Sequence, residues 1–224
     1  MNSNIFPEFM KKVLLCLFLI NPCLLSAQKL TPTKNDGGFL QLGMRSTISA
    51  FGSNGYIGTG VGGQLRLKLA NKLNTEWFTD YITTDIGGLG NRVDAHIGWS
   101  VMFYPFKDYN EAKFTPYILA GHCFDFTKIS TNSNPEINLL KNNLSRWSSA
   151  VQLGAGTHFH ISPKADVSLA AQYMTHLGND IHTEKAGING ESFLRIKEDN
   201  QKNLSLEGHL LFTVSLNIAI TDLW

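Results

Sequence analysis

Alternation is the strongest constraint on this chain, and it is plainest near the end. Leu206, Gly208, Leu210, Phe212, Val214, Leu216, Ile218 and Ile220 occupy every second position. Between them lie Glu207, His209, Leu211, Thr213, Ser215, Asn217 and Ala219. Side chains of a strand point alternately to opposite faces, so a period of two gives a ribbon with one apolar and one polar or small face. Soluble strands average about 5–6 residues, whereas a tilted strand needs about 9–11 to cross a bilayer. This strand is long enough to do so.

The pattern recurs. Alternating segments fall at about 38–49, 58–70, 73–86, 92–105, 114–129, 146–161, 165–178 and 203–221, with turn-rich stretches between them. No internal repeat beyond this hairpin rhythm and no interdomain linker is visible, so one domain is expected over 38–224. "ANK", "KDYNEAK" and "SPK" make short connections after segments two, four and six. Longer ones, 130–145 and 179–203, follow segments five and seven, while "GGLGN" after segment three is as short as its neighbours. Short turns on one side, longer loops on the other and an even strand count describe an up-and-down barrel with periplasmic turns and external loops.

The first residues carry an export signal. Lys11 and Lys12 precede an apolar run from Val13 to Leu25, and "LSAQ" places the expected cleavage between Ala27 and Gln28. Residues 1–27 are then a signal peptide and 28–37 a periplasmic lead-in. The apolar run falls short of the roughly 20 residues of a spanning helix. Cys16 and Cys23 would leave with it, so Cys123 would be the single remaining thiol, with no intramolecular disulfide to form. No later run suits a membrane helix. A membrane-embedded form must therefore be a closed barrel, because hydrocarbon offers no partner to an unpaired strand edge. Charged residues make up 17% and the formal net charge is +1, so no basic stripe marks a nucleic-acid partner.

Register follows from face matching. A three-residue connection, Ala70 to Lys72, keeps the faces in phase, setting Leu65 against Trp77 and Arg66 against Glu76. A two-residue turn would exchange the faces. The same reasoning at "SPK" sets Phe159 against Val167 and His160 against Asp166. The polar faces then bring Arg66, Lys68, Glu76, Asp80, His158, His160, Asp166, Glu207 and His209 to one side. An eight-stranded cylinder has room only for side chains or one small ligand, so these residues are expected to form an interior network rather than an open pore.

Alternation alone does not say which face meets water, since a soluble lipocalin-like carrier uses the same period around a ligand. A polar face rich in Gly62, Gly98 and serines suits a crowded lumen. Tyr81, Trp99, Phe103, Tyr104, Trp147 and Tyr173 suit an interfacial girdle. Both favour lipid outside.

On "LSAQ", "GVGGQLRLKLANKLNTEWFTDY", "PYILAGHCFDF" and the last strand, the chain from Gly38 to Trp224 resembles the eight-stranded outer-membrane β-barrel family. These are the outer-membrane-protein-A-like, or porin-family, barrels of Gram-negative bacteria. The resemblance implies an all-β, antiparallel up-and-down transmembrane barrel in the outer membrane of a Gram-negative bacterium. Its partners would be outer-membrane lipid and the barrel-assembly machinery, with a monomeric state and no cofactor. Its role would be structural, surface-binding or weakly permeable to small solutes. In such families the final strand carries an assembly signal, and Leu216, Ile218, Ile220 and Trp224 match it while Asp222 departs from it.

Three chemical readings stand beside this one. His158 and His160, two apart on one face, have a metal-compatible spacing, but a closed site needs more ligands, and histidines bonded inside a polar lumen explain them better. "HIS" at 160–162 resembles the His-x-Ser element of outer-membrane lipid A deacylases, which would make Ser162 a nucleophile and His160 its base. That element lies at the presumed periplasmic end, however, and Pro163 follows it. The third is the soluble lipocalin-like carrier. Residues 179–203 mix His182, Glu184, Lys185, Glu191, Arg195, Lys197 and Glu198, and are read as a solvated external loop.

Overall fold

The computed structural model describes residues 37–51, 56–106, 113–132, 143–177, 181–188, 191–198 and 208–223. The expected signal peptide with its Ala27/Gln28 junction, nearly all of the 28–37 lead-in, Glu207 and Trp224 lie outside the described residues.

Alternation becomes strand throughout. The elements are β1 (Phe39–Phe51), β2 (Ile57–Ala70), β3 (Leu73–Asp85), β4 (Gly90–Phe103), β5 (Phe114–Thr131), β6 (Asn143–Ser162), β7 (Ala165–Leu177), β8 (Ile181–Ile188), β9 (Glu191–Glu198) and β10 (Gly208–Asp222). Eight of them close into a barrel in the order β1-β10-β7-β6-β5-β4-β3-β2. The closing seam is antiparallel, running from Phe39 opposite Asp222 to Phe51 opposite His209. Because β1 pairs on both sides, no sheet edge remains in the cylinder.

Face matching decides the register as expected. Leu65 pairs with Trp77 and Arg66 with Glu76, and the phase is restored by an irregularity between Lys68 and Ala70. Phe159 pairs with Val167 and His160 with Asp166. The β3–β4 turn is tight enough to need glycine. Gly87 and Gly88 adopt φ of 60° and 74°, and the Gly88 N–H donates to Asp85 Oδ1 at 2.8 Å. A side chain strains such left-handed backbone.

Burial is inverted relative to a soluble protein. Leu153 is 67% exposed, as is Val61, whereas Arg66 is 2% exposed and Asn217 fully enclosed. Leu42, Met44, Trp77, Tyr81, Trp99, Phe124, Trp147, Tyr173, Val214 and Ile218 also lie on the outside. An apolar surface this continuous is stable only against hydrocarbon or a partner, and the barrel shape supplies the geometry for the former. The carrier reading, which needs the greasy face inside, is thereby overturned.

Two expectations are corrected. Tyr104, read as part of the girdle, lies inside at 1% exposed. It continues the inward parity of His96, Ser100 and Met102, opposite to the exposed Trp99 and Phe103, so its aromatic character and not its strand position suggested the interface. The last long connection is not a plain solvated loop, because β8 and β9 form their own antiparallel hairpin. Its Ile181 and Leu194 pack on Ile86 and Ile129, with Tyr56, Leu89 and Leu144 around them. Charged residues on both parities, such as the adjacent pairs Glu184–Lys185 and Lys197–Glu198, blur the apolar–polar alternation there.

Candidate functional site: the polar interior and its apolar cap

The inward residues of each strand are read by parity, and the cross-section fills with compensated charge. Arg66 sits at the centre of the half nearer the short turns. Its Nη2 donates to Glu76 Oε2 at 3.1 Å and its Nε to the same oxygen at 3.3 Å. Nη1 reaches Asp166 Oδ1 at 3.2 Å and Gln41 Oε1 at 3.1 Å, and Nη2 also donates to Ser168 Oγ at 3.1 Å. Arg45 continues the network, with Nη1 3.4 Å from Glu76 Oε1 and Nε 3.0 Å from Asp80 Oδ1, while its guanidinium lies over the Phe78 ring at 4.5 Å. Asn217 donates to Asp166 Oδ1 at 2.8 Å. Buried charges persist only when paired and hydrogen-bonded in this way.

His158 joins the same network through its two ring nitrogens. Nδ1 meets Ser168 Oγ at 2.6 Å and Nε2 meets the Tyr104 hydroxyl at 2.8 Å, and the ring stacks on Tyr117 with centroids 4.5 Å apart. Asn74 donates to the Tyr104 oxygen at 2.7 Å. Tyr104 thus serves the lumen rather than the interface.

A second cluster occupies the half nearer the long connections. Asp125 lies between His96, 3.3 Å from Oδ1, and His176, 3.1 Å from Oδ2. His209 stands beside both, with ring centroids 4.8 Å from His176 and 5.7 Å from His96. Arg92 Nε meets both oxygens of Asp94 at 2.9 Å, and Thr127 donates to Asp94 at 2.7 Å. Between the two clusters lies a belt of Phe78, Ile82, Cys123, Ala150, Met174 and Leu211, where the buried Cys123 thiol points to Met174 Sδ at 3.5 Å. Above the second cluster sits the apolar cap that the β8–β9 hairpin completes.

The structure therefore brings Arg66, Glu76, Asp166 and His158 together, with Asp80 attached through Arg45. His209 belongs to the other cluster. Lys68 is half-buried on the inward side. His160 lies at the exposed end of β6, its Nε2 3.0 Å from Thr115 Oγ1. Two chemical readings lose their basis. His158 and His160 do not converge, and among the described residues no group of three His, Cys, Asp or Glu side chains has a metal-holding arrangement. Ser162 is the exposed last residue of β6, where its Oγ accepts the Lys164 backbone N–H at 3.3 Å, while His160 is engaged with Thr115.

Several members escaped the sequence reading. Arg45 follows Gly43 on the inward parity of β1 and was open to that argument. Gln41, Gln64, Asp125, Ser168, His176 and Asn217 share inward parity too, but only closure shows whom they meet.

No family model matches the sequence, and no curated protein does. Solved structures do resemble the fold. Neisserial surface protein A superposes with a TM-score of 0.52 at 10% identity, over 81% of this chain and 96% of that one. A major outer membrane protein from Thermus thermophilus gives 0.52 at 13% identity, over 81% and 99%. At such identities the likeness speaks for architecture alone, that of the closed barrel described above. The chain has the fold of the eight-stranded outer-membrane β-barrels.

Proposed function

We propose that this protein is an exported outer-membrane barrel of a Gram-negative bacterium, whose role is structural or surface-binding rather than that of an open channel. The observation that carries this reading is the lumen itself. Arg45 and Arg66 tie Glu76, Asp80 and Asp166 across it, a belt of apolar side chains follows, and the Ile86–Ile129–Ile181–Leu194 cap lies beyond. An eight-stranded cylinder has little cross-section to spare, and paired charges are costly to separate. Binding would fall to the long connections, because rigid barrels display function on their loops. Export would proceed by cleavage at Ala27/Gln28, and insertion would use the barrel-assembly machinery.

The test is conductance in planar bilayers of refolded protein whose gel migration is heat-modifiable, the sign of a closed barrel. Only rare, small current steps are expected. Sustained conductance of the size of an open porin would overturn the reading. Mass spectrometry of the protein recovered from outer membranes should give Gln28 as the first residue.

A further inference from the structure

The apolar belt across the lumen holds two sulfur atoms in contact. Cys123 on β5 and Met174 on β7 are both fully enclosed there, beside Phe78, Ile82, Ala150 and Leu211. The Cys123 thiol lies 3.5 Å from Met174 Sδ. Packing alone would account for the sulfurs, because cysteine and methionine both serve as apolar filler. The histidine beside them is harder to account for in that way. Cys123 pairs with Ala150, and Ala150 with His176, so the three make one row of inward side chains across β5, β6 and β7. Ala150 is the small member in the middle and leaves the space above it to its two neighbours. Met174 precedes His176 by two residues on the same face of β7.

The two ring nitrogens of His176 have different surroundings. Nδ1 lies 3.1 Å from Asp125 Oδ2 and 3.4 Å from Ser148 Oγ. The carboxylate holds the ring proton on that nitrogen. Nε2, on the far side of the ring, then carries a lone pair, and it is buried with no hydrogen-bond partner among the described residues. An unpaired buried acceptor is costly, and a carboxylate behind a histidine is the arrangement that orients an imidazole toward a metal. Soft thiolate and thioether donors select Cu(I) among metal ions. At about 2.3 Å per metal–sulfur bond, two sulfurs on one trigonal ion stand about 4.0 Å apart. A shift of roughly half an ångström by the flexible Met174 side chain supplies that spacing.

We propose that the belt binds one Cu(I) ion, held by Cys123 Sγ, Met174 Sδ and His176 Nε2. On binding, the Sγ–H bond breaks, Sγ bonds to the ion, and one proton leaves to solvent. No electron is exchanged. The thiolate cancels the single charge of the ion, so the belt takes in a neutral unit. A divalent ion would instead bring an uncompensated charge into apolar surroundings. Asp125 acts as a positioning residue through His176, and His96 holds the other carboxylate oxygen at 3.3 Å. His209 pairs with Met174 across β10 and β7, and its ring lies 4.8 Å from that of His176, so it packs against the site. The Arg66 network lies on one side of the belt and the apolar cap on the other, so the ion enters as the barrel closes. The thioether sets this donor group apart from the histidines and carboxylates that do not converge elsewhere. Only the closed barrel is required, whatever the long connections bind.

The test uses the full-length chain carrying Cys16→Ser and Cys23→Ser, which leaves Cys123 as its single thiol. It is refolded into vesicles without oxygen in the presence of ascorbate and Cu(I), with heat-modifiable migration reporting closure independently of metal. After treatment with bicinchoninate, a Cu(I) chelator, one copper per barrel should remain. X-ray absorption should show two sulfur neighbours at about 2.3 Å and one nitrogen. Cys123→Ala should abolish retention. Met174→Leu and His176→Gln should each weaken binding by at least about tenfold, and Asp125→Asn by about ten- to a hundredfold, in barrels that still close. Where a variant fails to close, the absorption spectrum of the Cys123 protein decides alone. Closed barrels that surrender all copper to the chelator, that keep as much with Cys123→Ala, or whose copper has no sulfur neighbour would overturn the site and leave Cys123 and Met174 as packing. Open-porin conductance of the metal-free barrel would overturn the structural role proposed above without altering the copper result.

Discussion

Replacing Arg66 by methionine removes the hub of the lower interior network while nearly conserving volume. Glu76 keeps Arg45, at 3.4 Å. Asp166 keeps the neutral donors Asn217 at 2.8 Å, Gln41 at 2.9 Å and Ser168 at 3.0 Å. Both carboxylates are enclosed, so the charge that stays behind is poorly reached by water. Breaking a buried pair from one side typically costs about 3–5 kcal/mol. The surviving partners place Arg66→Met near the lower end of that range, at about 3 kcal/mol. With a urea slope of about 2 kcal/mol per molar, the unfolding midpoint in lipid vesicles should fall by roughly 1.5 M. Glu76→Gln supplies the second arm of a double-mutant cycle. Arg66 makes two bonds to Glu76 Oε2, at 3.1 and 3.3 Å, and bonds to charged groups are worth about 1.5–3 kcal/mol. The double variant should therefore be more stable than the sum of the singles by about that amount. A loss below about 1 kcal/mol for Arg66→Met, or strict additivity, would mean that water screens the network and that the lumen is not sealed.

Three further perturbations separate the parts of the barrel. Leu153→Lys puts a charge on the lipid-facing wall, where a midplane lysine costs about 2–4 kcal/mol; folding yield into vesicles should drop, with little change for Phe106→Lys at an exposed position beyond the end of β4. Gly88→Ala meets no atom within 4 Å, so its cost should be conformational alone, about 1–2 kcal/mol for a side chain at φ +74°, read as a lower thermal midpoint with the fold kept. Leu194→Ala thins the cap, at about 2–5 kcal/mol for a buried leucine; limited proteolysis should cut faster within 181–198 while the barrel keeps its heat-modifiable migration.

Whatever depends on neighbours along the chain was legible in the residues alone. Period-two alternation made the strands and named both faces, and parity set Leu65 against Trp77 and Arg66 against Glu76, because a slip of one residue would exchange every side chain. Parity could not say who meets across the lumen. Arg66 finds Asp166 one hundred positions away, and Asp125 finds His176 from another strand, because closing eight strands with one particular stagger rotates those inward faces toward each other. Tyr104 shares the inward parity of Ser100 and Met102, so its place was legible from alternation although its aromatic ring suggested the interface, and the β8–β9 hairpin was hidden because its charges blurred the period while docking supplied its order. His122 on β5 and Ser149 on β6 were legible only as two polar interruptions of the outward apolar face, beside Phe124 and Val151. Their contact is diagonal, across paired strands 27 positions apart, and only the assembled sheet brings such positions together.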